Sequence, residues 1–392
     1  MTEQHTAVAA WVAAHEDDLI AVRRDLRSHP ELGWEEHRTT ELIVDRLRRY
    51  GLTPQVFPTG TGVVCDIGTG EQAVALRADI DALPLQDLLD APYRSLIEGV
   101  CHACGHDVHT TALLGAAGAL AALPSLPGRV RLIFQPAEED VPGGATHVLK
   151  AGAVDGVSSV FALHCDPRLT VGRIGTRVGA ITAACDKIEV RLHGPGGHTA
   201  RPHLTADLVY ALGSVITEVP ALLSRRVDTR SGLSLVWGAV GAGVAPNAIP
   251  GDGFVRGTIR VLDHDVWADA ERMVRTLVEE VVAPTGAGAE ILYERGVPPV
   301  INDPGAVEVQ RAAIRAVLGT AGLADTAQSM GGEDFGWYGD HAPASLARLG
   351  VRTDAESRLV QDLHQGGFDV DERAIGIGAR FMASTAIAAM RN

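Results

Sequence analysis

Apolar and polar positions along the first half of the chain alternate between two periods. Residues 8–27 and 38–50 repeat at helical spacing, with Leu42, Ile43 and Leu47 on one face of the second segment. Short apolar runs at 73–78, 130–134 and 159–163 then alternate with helix-like segments at 108–122 and 144–151. That alternation predicts an α/β sheet with helices on both faces. Near residue 180 the texture changes. The stretch 187–193 (Lys-Ile-Glu-Val-Arg-Leu-His) alternates polar and apolar positions, as a half-exposed strand does. A helix over 206–218, strands over 232–240 and 254–261, a helix over 264–282 and a strand over 288–294 follow. This β-α-β-β-α-β order predicts a small ferredoxin-like α+β domain inserted into the first. Val297-Pro298-Pro299 marks a return, and an amphipathic helix over 371–390 ends the pattern. The expected organisation is one domain over 1–181 and 297–392 and a second over 182–296.

Composition narrows the classes. A chain of 392 residues suits two or three domains, and 46% hydrophobic against 21% charged residues provides sizeable cores. A formal net charge of −15 argues against nucleic acid and anionic membrane surfaces as partners. Five cysteines, an odd number without dense spacing, do not form a disulfide framework and fit a reducing cytoplasm. Glu3, Glu16, Asp17 and Asp18 interrupt any apolar core a secretory signal would need. The mild apolar run 111–124 is shorter than the ~20 residues of a membrane span.

Candidate chemistry concentrates in Cys101-His102-Ala103-Cys104-Gly105-His106-Asp107-Val108-His109, between the run ending Arg77-Ala78-Asp79-Ile80-Asp81 and the run ending Glu138-Glu139-Asp140. Ligands of open α/β sheets collect beyond the carboxyl ends of strands. Asp79, Asp81, Glu138, Glu139 and His164 all fall just after predicted strands. Thiolate, imidazole and carboxylate at such ends are the donors of a hydrolytic metal centre. Cys104-x-His106 places two of them on one tight turn, and His364, far along the chain, reads as a ligand of the same centre. Adjacent Glu138 and Glu139 point opposite ways on extended backbone. One can bind metal while its neighbour faces a water as general base. A structural zinc site at Cys101-x-x-Cys104 would need a second ligand pair, which Cys165 and Cys185 do not supply. Cys101 reads as a bystander rather than a ligand, and Cys65, Cys165 and Cys185 as small buried hydrophobes. In Gly194-Pro-Gly-Gly-His198-Thr-Ala-Arg-Pro-His203 the glycines let backbone approach a ligand that His198 could hydrogen-bond, but a surface turn explains the segment equally well. His5, His15, His37, His147, His193 and His264 have no such context.

Motifs in order along nearly the whole chain resemble one family. They are Arg24-Asp-Leu-Arg-Ser-His-Pro-Glu31, Leu76-Arg-Ala-Asp-Ile-Asp-Ala-Leu-Pro84, His102-Ala-Cys-Gly-His-Asp107, Gln135-Pro-Ala-Glu-Glu139, Gly196-Gly-His-Thr-Ala-Arg-Pro-His203, Pro246-Asn-Ala-Ile-Pro250 and Gly332-Glu-Asp-Phe335. The chain resembles the dinuclear metallopeptidases and aminoacylases, in the branch of auxin-conjugate hydrolases, hippurate hydrolases and bacterial N-acyl-amino-acid amidohydrolases. The resemblance implies a zinc-exopeptidase-like catalytic domain with an inserted lid and dimerisation domain. It implies two divalent cations per chain, bridged by Cys104 and completed by His106, Glu139, His164 and His364. It makes Glu138 the general base and Asp81 the orienter of a metal-binding side chain, and it places His198, Asn247 and Arg260 at the substrate. Asp79 stands where other branches carry a histidine ligand, so His106 takes over that duty. Cys101, usually apolar in relatives, and Met330-Gly331-Gly332, where relatives often have a serine, depart from the pattern.

The expected function is hydrolysis of the amide bond of N-acyl amino acids by a cytoplasmic homodimer or higher homo-oligomer, with zinc favoured by the thiolate and manganese, cobalt or nickel as alternatives. A dipeptidase or carboxypeptidase of the same family is the alternative. A regulatory protein that lost catalysis is countered by the retained Glu138-Glu139 pair, and a thiol hydrolase using Cys104 explains neither that pair nor the distant histidines.

Overall fold

Ala73–Asp79 is buried at every position, Arg77 and Asp79 included. A strand covered on both faces reads as a continuous apolar run rather than an alternating one. In the computed structural model, which describes residues 3–71, 73–353 and 361–391, this strand lies inside an eight-stranded sheet. The spatial order is Gln55–Val56, Val63–Ile67, Arg129–Gln135, Ala73–Asp79, Val157–Thr170, Ala344–Arg352, Ile174–Thr176 and Leu323–Asp325. The central four strands run parallel, so their carboxyl ends share one edge. The expected α/β sheet is found.

The chain forms two compact units: Met1–Gly179 with Ile301–Ala327 and Asp334–Asn392, and Ala180–Val300 with Gln328–Glu333. In the first, the helices Glu3–Ala14, Glu16–Ser28, His106–Ala121 and Arg373–Ala389 pack together over the sheet. His106–Ala121 is buried on all sides, which explains its Ala/Gly composition: a Cβ at Gly115 would lie 2.8 Å from that of Ala379. Arg373–Ala389 is likewise buried almost throughout, so the helix expected to be amphipathic is a core helix. The segment 8–27, expected as one helix, is two. His15 Nδ1 takes the Trp11 carbonyl at 2.7 Å and its backbone N–H turns to Val12 at 3.1 Å, breaking the i→i−4 ladder. Among the described residues no helix is long and apolar enough to cross a membrane.

The second unit is a four-stranded antiparallel sheet, ordered Ser234–Ala242, Asp252–Val261, Ala184–His193 and Gly288–Val297. Leu208–Leu223 and His264–Val282 cover it through an apolar core of their own. Burial alternates strictly along Ala184–His193, as the sequence pattern requires of a sheet with one covered face. Each helix starts on an aspartate cap, Asp207 accepting from Tyr210 N and Asp263 from Val266 N. Asp186 is fully buried and accepts hydrogen bonds from Trp267 Nε1 (3.0 Å), Gly296 N (2.8 Å) and the Tyr293 hydroxyl. Asp186→Ala removes the acceptor that these three donors share and is expected to cost about 3 kcal/mol of this unit's stability. A loss below about 1 kcal/mol in urea unfolding would show that the aspartate is not the organiser of that corner.

Candidate functional site

Every residue at the centre of the site belongs to the first unit, and a few backbone devices bring them together. Gly105 has φ 89 and precedes the helix His106–Ala121 as its cap residue. A Cβ there would sit 2.8 Å from Cys165 Sγ, so only glycine lets the chain reverse between Cys104 and His106. Ala137 (φ 50) and His364 (φ 61) are two of three non-glycine residues in the left-handed region among the described residues. One precedes the Glu138-Glu139 pair and the other is itself a candidate ligand. Strain of this kind persists only where the surroundings over-determine it, and it collects at functional sites.

Hydrogen bonds decide which ring atoms face inward. His106 Nδ1 lies 3.0 Å from the Asp81 carbonyl and 3.2 Å from its Oδ1, both acceptors, so Nδ1 carries the proton. His106 Nε2 is buried and makes no hydrogen bond. His164 Nδ1 donates to the Cys165 carbonyl at 2.8 Å, which turns its Nε2 toward Cys104 Sγ, 3.5 Å away. His364 Nε2 lies 3.3 Å from Glu139 Oε1. Asp81 Oδ2 also accepts the Glu139 backbone N–H at 2.9 Å, so one carboxylate orients both an imidazole and a glutamate.

Two donor clusters share a corner. Cys104, His106 and His164 place ligand atoms within 4.8 Å of one another, and so do Cys104, Glu139 and His364. His106, Glu138 and Glu139 form a third group. Thiolate and imidazole on one tetrahedral zinc ion lie about 3.5 Å apart, given Zn–S of ~2.3 Å and Zn–N of ~2.0–2.1 Å. The Cys104–His164 separation of 3.5 Å matches that span. Electrostatics agree. Burial, then Glu139, Glu138 and Asp79, push the Cys104 thiol well up. Burial alone would lower His106, but Asp79, then Asp81 and Glu139, raise it to about 10. A buried pocket with this excess of carboxylate fits divalent cations, and metal binding reverses both shifts by displacing the protons.

Around this centre lies a supporting network that the sequence reading did not assign. Asp79 accepts from Arg77 at 2.6 Å and from His109 Nδ1 at 2.5 Å, and Asp334 accepts from Arg77 and Gln135. His109 Nε2 in turn accepts the Cys165 N–H at 2.8 Å. Both ring nitrogens of His109 are therefore engaged, and the ring ties Asp79 to the strand that carries His164. Burial opposes ionisation of Asp79, but His106, His109 and Arg77 keep its carboxyl well below the usual range. His364 N donates to the Ala103 carbonyl at 2.8 Å, and Arg27 donates to the carbonyls of His102 (3.1 Å) and Phe368 (2.7 Å). Arg23 joins Asp107 and Asp369 at 2.7 and 2.8 Å. These two arginines tie the Cys104 loop to the His364 loop. Nothing in the spacing of one helix reveals such partners, which lie up to hundreds of residues away.

The remaining candidates are placed as follows. Cys101 packs in the apolar core, its thiol pushed up to about 11 by burial, and it joins none of the donor groups found among the described residues. His102 is buried with neither ring nitrogen hydrogen-bonded and is pushed down to about 4 by burial. His164 lies inside the strand Val157–Thr170 rather than after it, because pairing with Ala344–Arg352 carries the ladder past it. His198, Asn247 and Arg260 lie in the second unit. His198 pairs with Ala248 across a two-stranded ribbon, and Thr199 N donates to the Asn247 carbonyl. Its exposed ring accepts the Ala200 N–H on Nδ1 at 3.0 Å, which leaves the neutral imidazole's proton on Nε2. Arg260 donates to the Met330 carbonyl at 3.1 Å.

Residues 75–388 match the model of peptidase family M20/M25/M40. The chain is 38% identical over 377 residues to an N-acetyl-L-cysteine deacetylase of Bacillus subtilis (strain 168), covering 95% of this chain and 88% of that protein. It is 48% identical over 384 residues to a Rhodococcus jostii (strain RHA1) protein carrying a glutamate–cysteine ligase name. That alignment covers 97% of this chain and 48% of the relative, so the chain spans about half its length. The crystal structure of the Bacillus subtilis YXEP protein, a dinuclear metal binding peptidase of the M20 family, superposes with a TM-score of 0.84 at 33% identity. It covers 97% of this chain and 99% of that one.

Proposed function

Since the chain belongs to peptidase family M20/M25/M40 and is by that membership a metal-dependent amide hydrolase, we propose that it cleaves the amide bond of N-acyl amino acids. The observation that carries the reading is Cys104 at the shared corner of two donor clusters with Glu138 beside them. On this reading Cys104, His106, Glu139, His164 and His364 hold two divalent cations, and Asp81 fixes His106 and Glu139. Zinc suits the thiolate best, with manganese, cobalt and nickel as the alternatives. When bound, the cations supply Lewis acidity, polarising the scissile carbonyl and acidifying the attacking water.

Glu138 is the general base. One of its oxygens accepts the Asp334 N–H at 3.4 Å and the other faces His106 Nε2 at 4.0 Å, so the carboxylate sits beside the donors. It takes the water's proton and passes it to the departing amine. His198, with its proton on Nε2, is assigned as the donor to the tetrahedral oxyanion. Arg260 and Asn247 are assigned to the amino acid's carboxylate, a planar bidentate partner for guanidinium. A nucleophilic role for Cys104 is disfavoured, since reactive cysteines sit in electropositive surroundings and this thiol faces three carboxylates. N-acyl rather than peptidic substrates are favoured by the N-acetyl-L-cysteine deacetylase relative.

The test is turnover before and after chelation on N-acetyl, N-benzoyl, long-chain acyl and indole-acetyl amino acids, with dipeptides alongside. Activity on one or more acyl amino acids, lost with chelator and restored by added divalent metal, is the expected result. Preference for dipeptides would make the protein a peptidase, and chelator-resistant turnover would remove the metal centre from the mechanism.

A further inference from the structure

Glu36 sits at the N-cap position of the helix His37–Arg49, yet its side chain makes no cap hydrogen bond. Glu31 does that work instead, accepting Arg38 N at 2.9 Å and Thr39 N at 2.7 Å. Relieved of capping, Glu36 is turned wholly inward and is completely buried. Its Oε1 accepts the backbone N–H of Ala137 at 2.7 Å, and its Oε2 has no hydrogen-bond partner. Burying a carboxyl group this completely is costly unless its hydrogen bonds hold something in place.

What it holds is the turn from which Glu138 and Glu139 diverge. Ala137 has φ 50, a conformation that disfavours any residue with a Cβ. Its carbonyl is fixed as well, by Gly144 N at 2.8 Å. Gly144 is required there, because a Cβ would lie 1.8 Å from the Pro136 carbonyl oxygen. Both peptide groups of Ala137 are thus pinned, one by a backbone contact and the other by Glu36 alone. Relaxing φ at this residue would swing both following carboxylates.

We propose that Glu36 is a positioning residue for the Glu138–Glu139 pair, holding Ala137 in its left-handed conformation so that the two carboxylates reach their places. The proposal rests on the reading of Glu138 as base and Glu139 as metal ligand. Burial, then Asp81, push the Glu36 carboxyl up to about 7, so its neutral form, which like an amide keeps one carbonyl acceptor, is well populated near neutrality. A glutamine should reproduce that acceptor. An aspartate keeps the acid but withdraws it by one methylene from Ala137 N.

The experiment compares Glu36→Asp, Glu36→Gln and the double variant Glu36→Asp with Ala137→Gly. Zinc affinity of the metal-depleted protein is measured by competition with a chromogenic chelator, and kcat and KM are measured after reloading. Partners that orient ligands typically contribute about 10–100-fold to metal affinity or activity. Glu36→Asp is expected to lose that much in zinc affinity and in kcat, with KM changed less than about threefold. Glu36→Gln is expected to stay close to the parent. Glycine at 137 adopts positive φ without strain, so the double variant should recover severalfold of the loss. Unchanged affinity and kcat in Glu36→Asp would overturn the proposal, as would a glutamine variant as impaired as the aspartate. A lowered melting temperature with both constants intact would leave Glu36 a fold-stabilising residue only, again overturning it. Zinc affinity is read without turnover, so a wrong assignment of the base would surface in Glu138 variants and not here.

Discussion

Cys104→Ala is expected to abolish turnover and to lower bound divalent metal from about two ions per chain to one or none. Cys104 is buried and is the only residue common to the clusters with His164 and with His364. Alanine removes one donor from each cluster while keeping the backbone of the Gly105 turn. On the proposed ligand set, both metal positions then have one ligand fewer, and the loss of affinity is compounded. Elemental analysis of the folded variant checks it, with Cys101→Ala as control. Cys101 lies three residues away in the apolar core, outside every donor group found among the described residues, so its variant should keep full metal and lose only packing. Two tightly held ions in Cys104→Ala would remove Cys104 from the site.

Glu138→Gln is expected to lower kcat by about 10²–10⁴ while metal content and KM stay near their parent values. The substitution is isosteric, so the hydrogen bond from Asp334 N can persist, but an amide cannot accept the water's proton. The structure sharpens the test, because Glu138 and Glu139 both approach His106 Nε2, at 4.0 and 3.9 Å. Only Glu139 also meets His364 and belongs to a cluster with Cys104. Glu139→Gln should therefore lose metal as well as rate. If Glu138→Gln loses metal and Glu139→Gln does not, the two roles are exchanged; near-normal turnover with full metal in Glu138→Gln sinks the general-base assignment.

The chain by itself determined the elements and the list of candidate donors. Apolar runs such as 73–78, broken only by Arg77, and the strict alternation over 187–193 are direct images of burial on two faces and on one, so the buried strands of the first unit and the half-exposed strands of the second were legible. Cys104, His106, Asp81, Glu138 and Glu139 could be picked out as candidates for a related reason: they sit near strand ends and a helix start, where backbone geometry makes sites, and their chemistry is visible in the side chain itself. The split at His15 was not, since it depends on one side chain taking a carbonyl from the ladder.

Only the tertiary structure decided how the donors face one another. Which nitrogen of His106 and of His164 points inward is set by the Asp81 and Cys165 acceptors, and these come from another strand end and from the next peptide. That Cys104 is the shared corner depends on distances between loops separated by up to 260 positions. The duties of Arg23, Arg27, His109 and Glu36 follow from burial against partners distant in sequence, and a buried arginine or glutamate looks the same in the chain as a solvated one. Periodicity records which face of an element is covered, because burial acts on each residue locally. Hydrogen-bond partners are chosen by the fold as a whole, so the roles they create exist only once the chain has closed on itself.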